Sequence, residues 1–201
     1  MNRRGFTLLQ LMIVVACLAM VAAVLTPLFS RARENICGPS CQSNLKQMGL
    51  GILQYAQDYD ERMPPVAIGT APLVWTDEVY PYIKSRQVYL CPQVTVARPS
   101  LPTGVYTNDY WLNRKLGSQL TKNIANPALT VLSGDGNDGK DVADGRYTRR
   151  LLPLSWVEDD NSPAHRHAGK MNLLFADGHV KAVDPRTIAP LASGGPTFQF
   201  R

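Results

Sequence analysis

The chain has 201 residues, 45% hydrophobic and 18% charged, with 21 Lys and Arg against 16 Asp and Glu for a net charge of +5. That composition excludes intrinsic disorder and collagen-like repeats, and the length holds one domain or one domain with an appendage. The basic residues are scattered rather than gathered in a run, so no nucleic-acid surface is expected. In chain order, the first element is an apolar block from Phe6 to Leu25, interrupted only by Thr7 and Gln10. As a helix, about 20 residues reach roughly 30 Å, the thickness of a bilayer core. Arg3 and Arg4 precede it, and Arg31 and Arg33 follow it. A short basic N-terminus normally stays in the cytoplasm, which places the rest of the chain outside. A cleaved secretory signal, with Val21 and Ala23 before the cut, and a plain membrane anchor are the two other readings of the block.

The junction itself separates these readings. Arg3-Arg4-Gly5-Phe6-Thr7-Leu8-Leu9 followed by an apolar helix resembles the processing site of type IV prepilins and of the pseudopilins of type II secretion. The resemblance implies cleavage between Gly5 and Phe6 by a membrane prepilin peptidase, N-methylation of Phe6, and survival of the helix as a filament core. Pro27 stands where that family commonly has a helix-bending proline. Gln10 departs from the family, which usually has a glutamate there. A carboxylate can neutralise a neighbouring subunit's N-terminal ammonium in lipid, whereas an amide accepts a hydrogen bond without cancelling charge. Two readings of Gln10 stay open: a minor or tip-initiating subunit, or a filament in which the amide suffices. The organisation so implied is a leader 1–5, a transmembrane and filament-core helix 6–29, an amphipathic helix 30–63 continuing into the head, and a globular head 64–201. Loss of the leader removes Arg3 and Arg4, so the side-chain charge becomes 19 minus 16, or +3.

Beyond the membrane block, Leu45, Met48, Ile52, Tyr55, Ala56 and Tyr59 recur at steps of three and four, which predicts an amphipathic helix over 41–59. Pro39 removes a backbone donor and Ser40 can cap a new helix, so a break or kink is expected near Gly38. Val74 to Lys84 reads as a short helix, Val88 to Cys91 and Thr130 to Leu132 as short strands, and Val105 to Leu112 as irregular. Met171 to Phe175 and His179 to Val183 flank Asp177-Gly178, a hairpin spanning 171–183. The fold class is α+β: a long N-terminal, membrane-inserted helix packed on a small antiparallel sheet, as in pilins.

Cys17 lies inside the apolar block, and Cys37, Cys41 and Cys91 lie beyond it, where disulfides can persist. The phrase Ser40-Cys41-Gln42-Ser43-Asn44-Leu45-Lys46-Gln47, the later Cys91-Pro92, and His167 followed by nine residues and Asp177-Gly178 resemble bacterial prepilin-like proteins that share a His, nine residues, Asp-Gly signature. A bridge from Cys41 to Cys91 would tie helix to head, with Cys37 to Cys91 the competing pair. A metal site of His165, His167, Asp177 and His179 is conceivable, but the favoured reading has Asp177-Gly178 forming the turn and His167 bonding nearby backbone. Asp135, Asn137, Asp138 and Asp141 offer oxygen ligands that suit Ca²⁺, without the twelve-residue EF-hand pattern; a solvated acidic loop is the favoured reading, and no cofactor is expected. No nucleophile motif, phosphate loop or dinucleotide fingerprint is present, so the chain reads as a structural subunit rather than an enzyme. Its expected partners are prepilin peptidase, other pilin or pseudopilin subunits and the bacterial inner membrane. The alternative is an anchored extracytoplasmic binding module that uses the prepilin route without polymerising.

Overall fold

The computed structural model describes residues 8–66, 74–94, 106–140, 143–188 and 195–199, with only the backbone described for 27–37. Helix α1 runs Leu8–Asp58 as one element. The expected break near Gly38 is not found: the helix is continuous through Pro27, Gly38 and Pro39, and the added Cβ of a Gly38 substitution would meet nothing within 4 Å. The chain nevertheless divides into two compact units, 1–36 and 37–201. In the first, the whole stretch Leu8–Thr26 is exposed, as expected of a helix whose natural surroundings are apolar.

In the second unit, the three-four stripe forms the helix's buried face: Cys41, Leu45, Met48 and Ile52 are fully buried. Tyr59 falls outside it and is half exposed, because the helix ends at Asp58. Helix α2 (Trp75–Ile83) follows, then β1 (Tyr110–Asn113), β2 (Val131–Asp135), β3 (Thr148–Arg149), the one-turn helix α3 (Leu154–Glu158), β4 (Met171–Phe175) and β5 (Val180–Val183). The sheet order is β3-β1-β2-β4-β5. It is mixed rather than purely antiparallel, because β3 joins β1 in parallel at one edge. The strand expected at Val88 to Cys91 is a 3-10 turn, Gln87–Tyr89, and the stretch read as irregular, Val105 to Leu112, runs into β1.

Strands β1, β2 and β4 are buried at every position because both faces of the sheet are covered, which erases the alternation a one-sided strand would show. On one face Tyr110, Leu112, Leu132 and Leu174 pack with α1, Trp75, Val79 and Tyr89. On the other, Trp111, Val131, Met171, Leu173 and Phe175 pack with Ile188 and Phe198. The helix lies close to β4 because position 49 is glycine: a Cβ there would sit 2.6 Å from Leu174 Cδ1. The C-terminal segment is strapped to the sheet. Val131 N donates to Thr197 O at 2.8 Å, Thr197 N donates to Leu129 O at 2.8 Å, and the Phe198 ring stacks on Trp111 at 5.2 Å.

Candidate functional site

Four buried side chains from four parts of the head converge under α1. Cys41 occupies the start of the helix's buried stripe, one turn before Leu45. Cys91 follows the Gln87–Tyr89 turn, held in place where its backbone N–H donates to Asp109 Oδ2 at 2.8 Å and where Asn44 Nδ2 donates to Leu90 O at 2.9 Å. Asp109 is itself fixed by Asn137 Nδ2 at 2.6 Å. Asp135 ends β2, fully buried, its Oδ2 accepting from Asn172 N of β4 at 2.7 Å. His167 is presented by a tight turn in which His167 and Lys170 exchange both backbone bonds at 3.1 Å, while Ala168 and Gly169 take φ of 53° and 75°. Two successive residues at positive φ make the turn that feeds directly into β4.

The ring of His167 points inward. Its Nε2 lies 3.2 Å from Asp135 Oδ2 and 3.9 Å from Cys91 Sγ. One donor atom each from Cys41, Cys91 and His167 lie within 4.8 Å of one another. The two cysteines are thiols rather than a disulfide. Asp135 Oδ1, His167 Nδ1 and Asn172 Nδ2 are buried without a hydrogen-bond partner, so the polar demand of this pocket exceeds what the protein supplies. Burial alone would push the His167 imidazolium to deprotonate, but hydrogen bonds to Asp135 and Cys91 and their charges outweigh it and raise its pKa to about 9. The Cys41 thiol, hydrogen-bonded to Cys91, stabilises a Cys91 thiolate against burial, and with help from His167 it brings the Cys91 pKa down to about 6. Cys41 moves strongly upward, through that same hydrogen bond and burial. Burial likewise raises Tyr110 well above the ordinary phenol range.

The remaining sequence candidates are distributed differently. His167 does not serve nearby backbone through its ring, as expected, but reaches Asp135 and Cys91. Asp177 and Gly178 do form the hairpin turn: Asp177 Oδ1 accepts from His179 N at 3.0 Å and contacts His179 Nδ1 at 2.6 Å, and Gly178 has φ 85°. His165 Nε2 meets Val157 O at 3.0 Å, so the set of His165, His167, Asp177 and His179 does not come together. Of the Ca²⁺ set, Asp135 faces His167, Asn137 holds Asp109, and Asp138 Oδ2 accepts from Trp156 Nε1 at 3.0 Å; Asp141 lies outside the described residues. Gly5 and Phe6 also lie outside the described residues, and nothing is described of the side chains of Pro27 and Cys37. Gln10 sits exposed within the apolar stretch of α1. Sequence reading missed Asp135 as a companion of the cysteines because 44 positions separate it from Cys91; its glycine-rich surroundings suggested a loop.

One family model matches the chain. It is described as "Protein of unknown function (DUF1559)" and covers residues 30–115, under half of the length. The matched stretch contains Cys41, Cys91, Asp109 and Tyr110, and stops before Asp135 and His167. No curated protein and no solved structure matches the chain.

Proposed function

We propose that the chain is a pilin-like subunit, anchored by the apolar part of α1, exposing its α+β head outside the cytoplasmic membrane and assembling with like subunits in a type IV pilus or a type II secretion pseudopilus. The observation that carries this reading is the exposed, predominantly apolar stretch Leu8–Thr26 at the start of the helix whose later turns form one wall of the head's core. A helix apolar on all sides is stable only in lipid or against other apolar helices. The Arg3-Arg4-Gly5-Phe6 junction, placed before that stretch rather than after it, supports a cut that spares the anchor. Catalysis plays no part in this role.

Intact mass and N-terminal sequence of the protein recovered from membranes of its native host test the reading. A chain beginning at methylated Phe6 is expected, and one beginning at Val24 or at an unprocessed Met1 refutes it. Gln10 favours a second reading, an anchored module that does not polymerise, because an amide cannot neutralise a neighbour's ammonium. Cysteine crosslinking along Leu8–Thr26 distinguishes the two: ladders of subunits mark a filament, and monomers mark the module.

A further inference from the structure

We infer that Cys41, Cys91, His167 and Asp135 form a tetrahedral site for a structural Zn²⁺-class cation, buried in the head and independent of how the head is anchored. The donor set is two thiols, one imidazole and one carboxylate, the combination that borderline-soft divalent zinc accepts and hard Ca²⁺ or Mg²⁺ does not.

The spacings fit. With zinc bonds of about 2.3 Å to sulfur and about 2.1 Å to nitrogen and oxygen, a tetrahedron has edges of about 3.4 Å between nitrogen and oxygen, about 3.6 Å between nitrogen and sulfur and about 3.8 Å between sulfurs. The corresponding separations are 3.2 Å from His167 Nε2 to Asp135 Oδ2 and 3.9 Å from His167 Nε2 to Cys91 Sγ, with one donor atom from each of Cys41, Cys91 and His167 within 4.8 Å of the others. All four residues are nine-tenths or more buried. Asp135 Oδ1 has no hydrogen-bond partner, an uncompensated carboxylate oxygen that points to a cation nearby.

The surroundings orient the donors as outer residues orient ligands in metal sites. Asn172 N–H donates to Asp135 Oδ2, and Asp109 fixes the Cys91 backbone. A Cys41–Cys91 disulfide would use two of the four donors and leave a buried carboxylate facing an imidazole. The cation uses all four. On binding near neutral pH, the Cys41 thiol and the His167 imidazolium lose their protons to solvent while Cys91 is already a thiolate, and the site carries two thiolates, one carboxylate and one dication for a net charge of −1. The cation would fasten α1, the Cys91 turn, the end of β2 and the turn before β4 to one point.

The test uses the full chain purified in detergent micelles without chelator. Elemental analysis is expected to give one zinc per chain, falling to background in Cys41→Ser and His167→Ala. Because either variant can unfold, the chelator-stripped, reduced wild-type chain is also titrated with Co²⁺. A thiolate charge-transfer band together with the intense visible absorption of tetrahedral cobalt is expected, saturating at one equivalent, and Asp135→Asn is expected to weaken that binding by about tenfold or more. A chain lighter by two hydrogens, zinc-free, and silent to Co²⁺ after reduction overturns the assignment in favour of a disulfide. Zinc that survives His167→Ala at full stoichiometry overturns it too, as does cobalt absorption without the thiolate band.

Discussion

Phe198 follows the strap residue Thr197, and its side chain is only 2% exposed. Truncation to alanine measures whether the strap belongs to the core. Fully burying a phenylalanine contributes about 1.5–3 kcal/mol. Its stacked contact with Trp111, at a centroid separation of 5.2 Å, adds about 0.5–1.5 kcal/mol. The cavity left beside Val131, Leu173 and Phe175 adds more, which brings Phe198→Ala to about 3–5 kcal/mol. For a domain of this size each kcal/mol moves the melting temperature by about 2–4 °C, so a fall of about 6–20 °C is expected. The assay is thermal unfolding of the full chain in micelles followed by tryptophan emission, with Leu154→Ala as the control because Leu154 is 60% exposed. The control should stay within about 0.5 kcal/mol of the parent. A Phe198→Ala melting temperature within about 2 °C of the parent would show that the Thr197–Phe198 segment adds nothing to the core and that the second core face closes without it.

Three further outcomes are expected. Leu18→Arg, near the middle of the apolar stretch, should cost about 2.5–3.5 kcal/mol of bilayer insertion and shift the chain out of alkali-washed membranes; undiminished retention would mean that Leu8–Thr26 does not span. Gly178→Ala should destabilise by about 1–2 kcal/mol from its positive φ alone, and by more because the new methyl falls 2.8 Å from Leu53 Cδ1. Gly169→Ala, at φ 75° with nothing within 4 Å, isolates the backbone part, so equal losses in the two variants would count against the Leu53 contact. In the reduced, metal-free chain, Cys91 with its pKa of about 6 gives up a proton while His167 with its pKa of about 9 keeps one. Between about pH 6.5 and 9 the folded and unfolded chains therefore hold equal numbers of protons at this pair, and its contribution to stability is flat. Cys91→Ser removes the compensating thiol and leaves a ring raised by Asp135. The stability from that raised pKa is fully present below about 6.5 and is lost as pH rises through the ring's folded value, by at most about 1.4 kcal/mol per pH unit. Denaturant midpoints across that range report the slope, and an unchanged flat profile in the variant contradicts the His167–Asp135 coupling.

The elements that sequence made legible are those whose signals are local. The α1 stripe of Leu45, Met48 and Ile52 repeats over several turns, and Asp177-Gly178 between two apolar runs admits little besides a tight turn. Val88 to Cys91 misled because a short apolar run fits a buried turn as well as a strand, and the following Pro92 allows no ladder on its far side. Tyr110 to Asn113 was hidden for the opposite reason: a strand buried on both faces loses its period of two. The site was half legible. Cys41, Cys91 and His167 were visible as chemistry-bearing residues, but their meeting depends on a turn at Ala168-Gly169 whose geometry is tertiary in origin, since alanine does not favour positive φ. Asp135 reads in sequence as part of a solvated acidic loop, with Ca²⁺ the less favoured reading, because glycines follow it, whereas pairing with β1 and the bond from Asn172 N carry the strand through it.

The two rims of the sheet limit how heads can meet. One rim is β3, only two residues long, and the other is β5, which carries the exposed Lys181 and an irregular mixture of half-buried side chains. A short strand offers too few free amides and carbonyls to template a neighbour, and an outward lysine places charge where a second sheet would dock. Crowded copies of this head are therefore guarded against zipping into a continuous cross-strand ribbon. Any ordered packing among heads would have to rest on side-chain shape rather than on shared strand ladders.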